Sequence, residues 1–311
     1  MVTNPLVLYH DNCPDGFTAA WAVWRAVGDT AEYRAVNYGQ PPPLDVAKGR
    51  RVILVDFSYP RAVLDQLADV ADAVEVYDHH KTAQADLADW PGGRVVFDMD
   101  RSGAGIAWDE FHQGEAVWLG LRPNLIAYVE DRDLWRWALA GSREVSEYLF
   151  SMPRTFEVWD QIDAAMGQTA SPVSPGHLAI IEAGRALLRA KRVRVETICK
   201  NVRWMMFGGT TIPVVNTAWD FSEIGEYLCE RFPDAPAGGY YFDRADKRQW
   251  GFRSRGAFDV SALCQQYGGG GHRAAAGFTS EIGWLPGPPE DPCLRCGQRH
   301  PFERCADEIP R

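Results

Sequence analysis

"AVEVYDHH", residues 73–80, carries an alternating apolar segment into an Asp followed by two consecutive His. Neighbouring side chains on a strand point to opposite faces, so Asp78, His79 and His80 cannot all enter one core. Two readings of the tripeptide stand, a polar strand exit with half-exposed His or a metal site, and the flanking sequence must decide between them. The segment belongs to a series. "LVLYH" (6–10), "EYRAVNYG" (32–39), "RVILVDFS" (51–58) and "RVVFDMD" (94–100) also read as strands. Helical patterns separate them: "GFTAAWAVWRAVG" (16–28), then "PRAVLDQLADVA" (60–71), which opens with Pro and repeats apolar residues at 63, 64, 67 and 70. Further helices are expected after "RSGAG" (101–105) and across "NLIAYVE" (124–130). Short apolar strands alternating with helices predict an α/β fold, with a mostly parallel sheet covered by helices on both faces over residues 1–150.

The pattern then changes twice. Residues 151–201 read as a helical linker, in which Leu178, Ile181, Leu188, Val195 and Ile198 recur at broadly helical spacing. Its other face gathers Arg185, Arg189, Lys191, Arg192 and Arg194, which reads as a solvated basic face rather than a nucleic-acid contact. Residues 202–285 predict a second, smaller α/β domain, with "TIPVVNTA", "GGYYFD" and "RQWGFRS" as strands and "FSEIGEYLCERF" as a helix. Residues 286–311 form a Cys/His-rich tail too rich in Pro and polar residues to read as helix or strand.

Composition bounds the function. The 311 residues are 46% apolar and 24% charged, as in globular proteins, with a net charge of −10. That balance argues against a large basic footprint on long duplex DNA, because such binding depends on neutralising many phosphates. It leaves room for a short nucleotide at a metal centre, since cation-binding carboxylates add negative charge themselves. The start lacks a basic n-region, and no stretch approaches the ~18 apolar residues of a membrane span. A cytoplasmic location without a membrane partner is the expectation. Seven cysteines, an odd count, do not resemble a secreted disulfide framework.

Polar clusters recur at the carboxyl ends of the expected strands. "YHDNCPDG" (9–16) offers His10, Asp11 and Asp15; "VDFS" ends in reach of Asp56; "DHH" follows; "EDRDLW" (130–135) brings Asp131 and Asp133. Ligands bind at that edge of open parallel sheets, so the clusters should converge on one crevice. Carboxylates with a few imidazoles suit Mn²⁺ or Mg²⁺ better than structural zinc, and two such ions can activate water and stabilise the leaving oxygen of a phosphoester. One His of the pair would then coordinate while its neighbour faces the substrate. In the second domain, "YGGGGHRAAAGF" (267–278) sets four Gly before His272 and an Ala run able to start a helix. With the upstream "FRSRG" (252–256), this reads as a phosphate or nucleotide clamp.

In this order, "HDNCPDG", "VDFS", "DHH", "EDRDLW" and "GGGGHRAAAGF" resemble the motifs of the DHH phosphoesterase superfamily with its associated C-terminal domain, over about residues 5–282. That superfamily includes RecJ-type exonucleases, oligoribonucleases and cyclic-dinucleotide phosphodiesterases. The resemblance implies Mn²⁺ or Mg²⁺, as two ions, held by His10, Asp15, Asp56, His79 and Asp131, with Asp133 as the alternative ligand in the fourth motif. It makes Asp78 an orienting partner and His80 a contact to the scissile phosphate. It assigns substrate binding to Arg253, Gly269, Gly270, Gly271 and His272. The chain departs from the pattern in one place, where many members have a further Asp and this one has Cys13 or Phe17. The implied activity is metal-dependent hydrolysis of short single-stranded oligonucleotides or of cyclic or linear dinucleotides. The competing readings are a RecJ-like single-strand exonuclease and a non-hydrolytic nucleotide-binding module with a degenerate metal site. Outside the resemblance, Cys293, Cys296, His300 and Cys305 give C-x2-C-x3-H-x4-C, which reads either as a structural Zn²⁺ site or as a tail with incidental thiols.

Overall fold

The computed structural model describes residues 4–11, 13–112, 122–167 and 174–287, so the four tail ligands proposed for zinc lie outside the described residues. The chain divides into two units, Met1–Leu188 and Arg189–Arg311. In the first, β1 (Leu6–His10), β2 (Glu32–Val36), β3 (Arg51–Val55), β4 (Ala73–Asp78) and β5 (Arg94–Phe97) form a sheet in the order β2-β1-β3-β4-β5. Every pair is parallel. Parallel neighbours require crossovers, and the helices that serve them are α1 (Pro14–Val27), α2 (Leu44–Ala47), α3 (Arg61–Val70) and α4 (Lys81–Asp86), followed after β5 by α5 (Gly103–Phe111).

Strand alternation divides the core into two layers. Val7, Ile53, Val55 and Tyr77 face one cluster, with Trp21 of α1 and Ile106 of α5. Leu6, Leu8, Val52, Leu54, Val74 and Val76 face the other, with Leu64 and Leu67 of α3. Burial on both faces accounts for the near-continuous apolar runs of β1 and β3. The strand order reverses between β1 and β3, and the crevice of such a sheet opens at the carboxyl ends of those two strands. His10 is the last residue of β1, and Asp56 follows β3 directly.

The first unit continues with α6 (Asn124–Asp133), α7 (Ser142–Ser151), α8 (Phe156–Met166) and part of α9 (Pro175–Ile198). The stretch expected as a linker is shared out between two cores. Trp159, Ile162, Met166, Ile180 and Ile181 pack into the cluster around Phe17 and Trp21, whereas Val195 and Cys199 pack with Ile224 and Leu228 of the second unit. Ion pairs hold four of the five basic residues on its basic face: Arg185 with Glu182, Lys191 with Glu223, Arg192 with Glu196, and Arg194 with Asp220.

The second unit is a mixed sheet of β6 (Arg203–Phe207), β7 (Thr210–Asn216), β8 (Ala237–Arg244), β9 (Lys247–Ser254), β10 (Gly270–His272) and β11 (Ala275–Glu281), in the order β10-β11-β9-β8-β7-β6. It carries α10 (Phe221–Arg231) and α11 (Val260–Gln265). Phe207, Trp250, Phe252 and Phe278 fill its main core. The Ala run after His272 does not start a helix. Ala275 and Ala276 lie in β11, paired with Arg253 and Phe252 of β9, because the sheet ladder satisfies their backbone and outweighs the helical propensity of Ala. Among the described residues, no helix is long and apolar enough to cross a membrane.

One buried acid far from the strand ends tests the packing of the first unit. Asp163 of α8 is 5% exposed, its Oδ1 has no hydrogen-bond partner, and Arg25 approaches its Oδ2 only to 3.9 Å. Burial pushes its carboxyl up to about 6 against the pull of Arg25. An unfolded Asp titrates near ~3.9, so the folded chain holds this proton over a range where the unfolded chain has lost it. The group's contribution to stability is therefore complete below that range and is lost as pH rises through about 6. Asp163→Asn should raise the melting temperature by a few degrees at pH 8, with a smaller gain at pH 5. Thermal melts of both proteins at the two pH values check this.

Candidate metal centre

Asp56 sits at the centre of the strand-end cluster, 1% exposed, with its backbone turned into the left-handed region at φ 53°. Asp tolerates that conformation better than most residues, and the Asp56 N–H still reaches the Tyr77 carbonyl at 2.9 Å. The turn aims the carboxylate between two imidazoles. Oδ1 lies 3.1 Å from His79 Nε2, and Oδ2 lies 3.7 Å from His10 Nδ1. His79 Nε2 is also 3.7 Å from Asp15 Oδ2 and 3.5 Å from Asp133 Oδ2.

Two glycines permit this convergence. A Cβ on Gly103 would lie 2.4 Å from the Cβ of Asp56, and one on Gly16 would lie 2.4 Å from the His10 carbonyl oxygen. The first turns of α1 and α5 can therefore press against the strand ends. The backbone N–H groups of Gly103 and Ala104 donate to Asp15 at 2.7 and 3.0 Å, so the positive end of α5 holds that carboxylate. Ser102 caps the same helix by accepting from Gly105 N–H.

The acids of "EDRD" divide their work. Glu130 accepts from Arg101 Nε and from Ser102 N–H, both at 3.2 Å, which ties α6 to the start of α5. The Asp131 carboxylate accepts backbone N–H groups of Ala138 at 2.9 Å and Leu139 at 3.2 Å. It thereby shapes a loop in which Trp135 and Trp137 both have positive φ. Asp131 is thus occupied by the loop, and Asp133 stands beside His79 in its place. Of the other residues named from sequence, His10, Asp15, Asp56 and His79 are brought together. Asp78 is fully buried, and its Oδ1 accepts from His79 N–H at 2.7 Å and holds His80 Nδ1 at 2.7 Å. That contact leaves Nε2 as the free ring nitrogen of His80, whose side chain is 34% exposed.

Sequence reasoning did not single out Tyr38, just beyond the end of β2. Its ring is 5.3 Å from His10, 4.9 Å from Phe57 and 6.5 Å from His80, centroid to centroid, so it flanks the cluster while remaining exposed. The nearby turn composition "NYGQPPP" gives no hint of this. The Ser102–Ala104 turn was also missed, although Ser before a run of small residues at a helix start is a legible cap. Phe17 is a core residue, stacked on Phe156 and edge-on to Trp159.

The electrostatics call for a cation. Burial, then the charges of Asp56 and Asp133, push the Asp15 carboxyl well above the usual range. Burial and the Asp56 charge push Asp133 in the same direction. Burial opposes ionisation of Asp56 too, but its contacts with His10 and His79 prevail and hold it down to about 2. Burial would lower His79, yet the surrounding carboxylates raise it to about 9. The buried Oδ2 atoms of Asp56 and Asp78 have no hydrogen-bond partner. Among the described residues, three overlapping groups have ligand atoms within 4.8 Å of one another: Asp56, Asp78, His79 and His80; His10, Cys13 and Asp56; and Asp15, His79 and Asp133. Carboxylates crowded together with unpaired oxygens fit divalent ions, which would remove the mutual repulsion.

In the second unit, Gly268 to Gly271 form the approach to a hairpin, with φ of 75° at Gly268 and 143° at Gly271. A Cβ on Gly269 would lie 2.2 Å from the Gly277 carbonyl, so this glycine is required by close packing. Gly270 opens β10, and His272 closes it, exposed, opposite Ala275. Arg253 donates to Ser222 Oγ at 3.2 Å and to the Phe252 carbonyl at 3.0 Å, with its stem against Gly225.

No family model matches the chain. An uncharacterized protein of Acanthamoeba polyphaga mimivirus is 28% identical over 312 residues, which span 93% of this chain and 70% of that one. Among solved structures, the DHH domain of a member of a ribosomal-protein family is similar with a TM-score of 0.62 at 12% identity, over 90% of this chain and 83% of that one. The exonuclease RecJ bound to manganese is similar with a TM-score of 0.52 at 16% identity, over 90% of this chain and 86% of that one. These likenesses establish a shared fold, and it is the fold of the DHH proteins whose motifs the sequence resembles.

The division between Asp131 and Asp133 is open to direct test. Asp131→Ala leaves two backbone N–H groups without their acceptor and should cost about 1–3 kcal/mol of stability. Asp133→Asn should leave the apo protein's melting temperature close to wild type but abolish most of the stabilisation conferred by added Mn²⁺. Melts with and without the ion distinguish the two roles.

Proposed function

We propose that the chain is a metal-dependent phosphodiesterase acting on short single-stranded oligonucleotides or on cyclic or linear dinucleotides. The observation that carries this reading is the gathering of His10, Asp15, Asp56, His79 and Asp133 at the switch point of the sheet, around a buried Asp56 oxygen with no partner. Divalent ions held there, Mn²⁺ or Mg²⁺ among them, would polarise the phosphate and activate water. RecJ, which shares the fold, is a manganese-bound exonuclease, and this supports a related chemistry here.

The protein's own residues set the remaining geometry. Asp78 holds His80 Nδ1, which fixes the ring and presents Nε2 outward. The hydrogen bond to Asp78 raises the basicity of His80, so its imidazole is more readily protonated and can donate to a phosphate oxygen as charge develops. His79, with its Nε2 turned into the carboxylates, serves the ions instead. In the second unit, Arg253 would supply a cationic contact and His272 a ring N–H to substrate phosphates, and the 268–272 turn would let the backbone come close. The net charge of −10 favours short substrates, since long strands owe their affinity to many phosphate contacts.

His79→Ala should lose bound metal, whereas His80→Ala should retain it and hydrolyse more slowly by roughly two orders of magnitude. Metal content and single-turnover rates of both variants check the division, and equal metal loss in the two would refute it. Arg253→Ala should keep the metal and lose roughly ten- to a hundredfold in kcat/KM. On a panel of single strands with Mn²⁺, dinucleotides to pentanucleotides should be cut faster than strands of ~20 nucleotides or more, whose affinity would need many phosphate contacts. Preference for the long strands would favour the RecJ-like reading, and absence of turnover on every member would favour the non-hydrolytic one.

A further inference from the structure

The two ends of the cluster differ in donor chemistry. At one end Asp15, His79 and Asp133 offer two carboxylates and an imidazole. At the other, His10, Cys13 and Asp56 offer an imidazole, a thiol and a carboxylate, with their ligand atoms within 4.8 Å of one another. Cys13 is the residue before α1, with extended backbone at φ −112° and ψ 126°. Burial, then the charges of Asp56 and Asp15, push its thiol up, against a pull from the Gly16 N–H of the first helical turn. The carboxylate it accompanies contributes the buried Asp56 Oδ2, which has no hydrogen-bond partner. Asp11, the nearest other acid in the motif, accepts from Asn37 Nδ2 at 3.2 Å and belongs to none of the three ligand groups found among the described residues.

We infer that Cys13 is a thiolate ligand, which makes the His10/Cys13/Asp56 end a soft metal site while the Asp15/His79/Asp133 end stays hard. The inference rests on the divalent-metal reading of the centre. Binding forms a metal–sulfur bond and releases the thiol proton to solvent, with no change of oxidation state. Imidazole and thiolate together favour Zn²⁺, Co²⁺ or Cd²⁺ over Mn²⁺, whereas a carboxylate-rich end favours Mn²⁺ or Mg²⁺. The two ions should then be of different kinds, with a thiophilic ion resident beside Cys13 and a hard ion exchanging at the other end.

Cobalt absorption reads this without any measurement of turnover. The tail thiols would confuse it, so the background is the full chain with Cys293, Cys296 and Cys305 each replaced by Ser. Titrated with Co²⁺ alone, this protein should show visible ligand-field bands and a near-ultraviolet sulfur-to-cobalt charge-transfer band. Cys13→Ser should remove the charge-transfer band while leaving ligand-field bands from the hard end. Cys13→Asp, which restores a carboxylate, should shift the Cd²⁺-over-Mn²⁺ preference towards Mn²⁺ by roughly tenfold or more. Cobalt bound at a site sensitive to His79→Ala, but with no charge-transfer band or an identical band in Cys13→Ser, overturns the thiolate and leaves the metal centre standing. Absence of any cobalt binding sensitive to either His79→Ala or Cys13→Ser overturns the metal centre and the thiolate together.

Discussion

The position of the Asp56 carboxylate is the constraint on which the first unit depends. An ionised carboxylate buried at a strand end costs several kcal/mol unless opposing charge and hydrogen bonds meet it. Here the opposition comes from two imidazoles on neighbouring strand ends, His10 at the end of β1 and His79 after β4. Those strands flank β3 on either side, so the parallel order of the sheet itself delivers the two partners. The left-handed turn at Asp56 and the missing Cβ of Gly103 are the local concessions that let the carboxylate face inward. Any other residue at 103 would press directly on the Asp56 side chain.

Much of this could be read from the chain alone, and the reason is physical. Fully buried parallel strands leave continuous apolar runs, and β1 and β3 lie where such runs stand in the sequence. Strand β10 and the start of β11 left no such mark, because Gly and Ala carry little side chain to alternate, and their pairing with β9 is a property of the sheet. The fourth motif shows a different limit. Asp131 and Asp133 are two positions apart on α6, which places their side chains about 200° apart around the helix. Only one can face the strand ends, and the choice depends on the helix's rotation against the core, where Leu125, Ile126 and Val129 dock. Composition does not report that rotation.

The departure at the first motif has the same character. The residue types Cys13 and Phe17 are visible in the sequence, but their consequences separate only in three dimensions. Phe17 points into the aromatic layer with Phe156 and Trp159, and its size is used for packing. Cys13 stays beside His10 and Asp56, and its chemistry stays with the cluster. Cys13 before α1 and Phe17 within its first turn thus serve different parts of the molecule, Phe17 the core and Cys13 the cluster at the strand ends.

The distribution of charge completes the account. A net charge of −10 would repel a polyanion if it were spread evenly, but much of the positive charge is already neutralised in local pairs. Arg101 and Arg122 pair with Asp109, and Arg51 with Glu75, so these guanidinium groups fix elements in place and do not form a basic surface. At the strand ends, the raised basicity of His79 and the raised carboxyls of Asp15 and Asp133 show carboxylates in excess of their cationic partners. Divalent ions bound there would turn that anionic pit into a locally cationic one. A phosphodiester would meet attraction only over a few ångströms around the ions, and only the phosphates nearest to them would gain from it. On the proposed reading, short substrates would suit such a field, because phosphates farther from the ions would gain little from it.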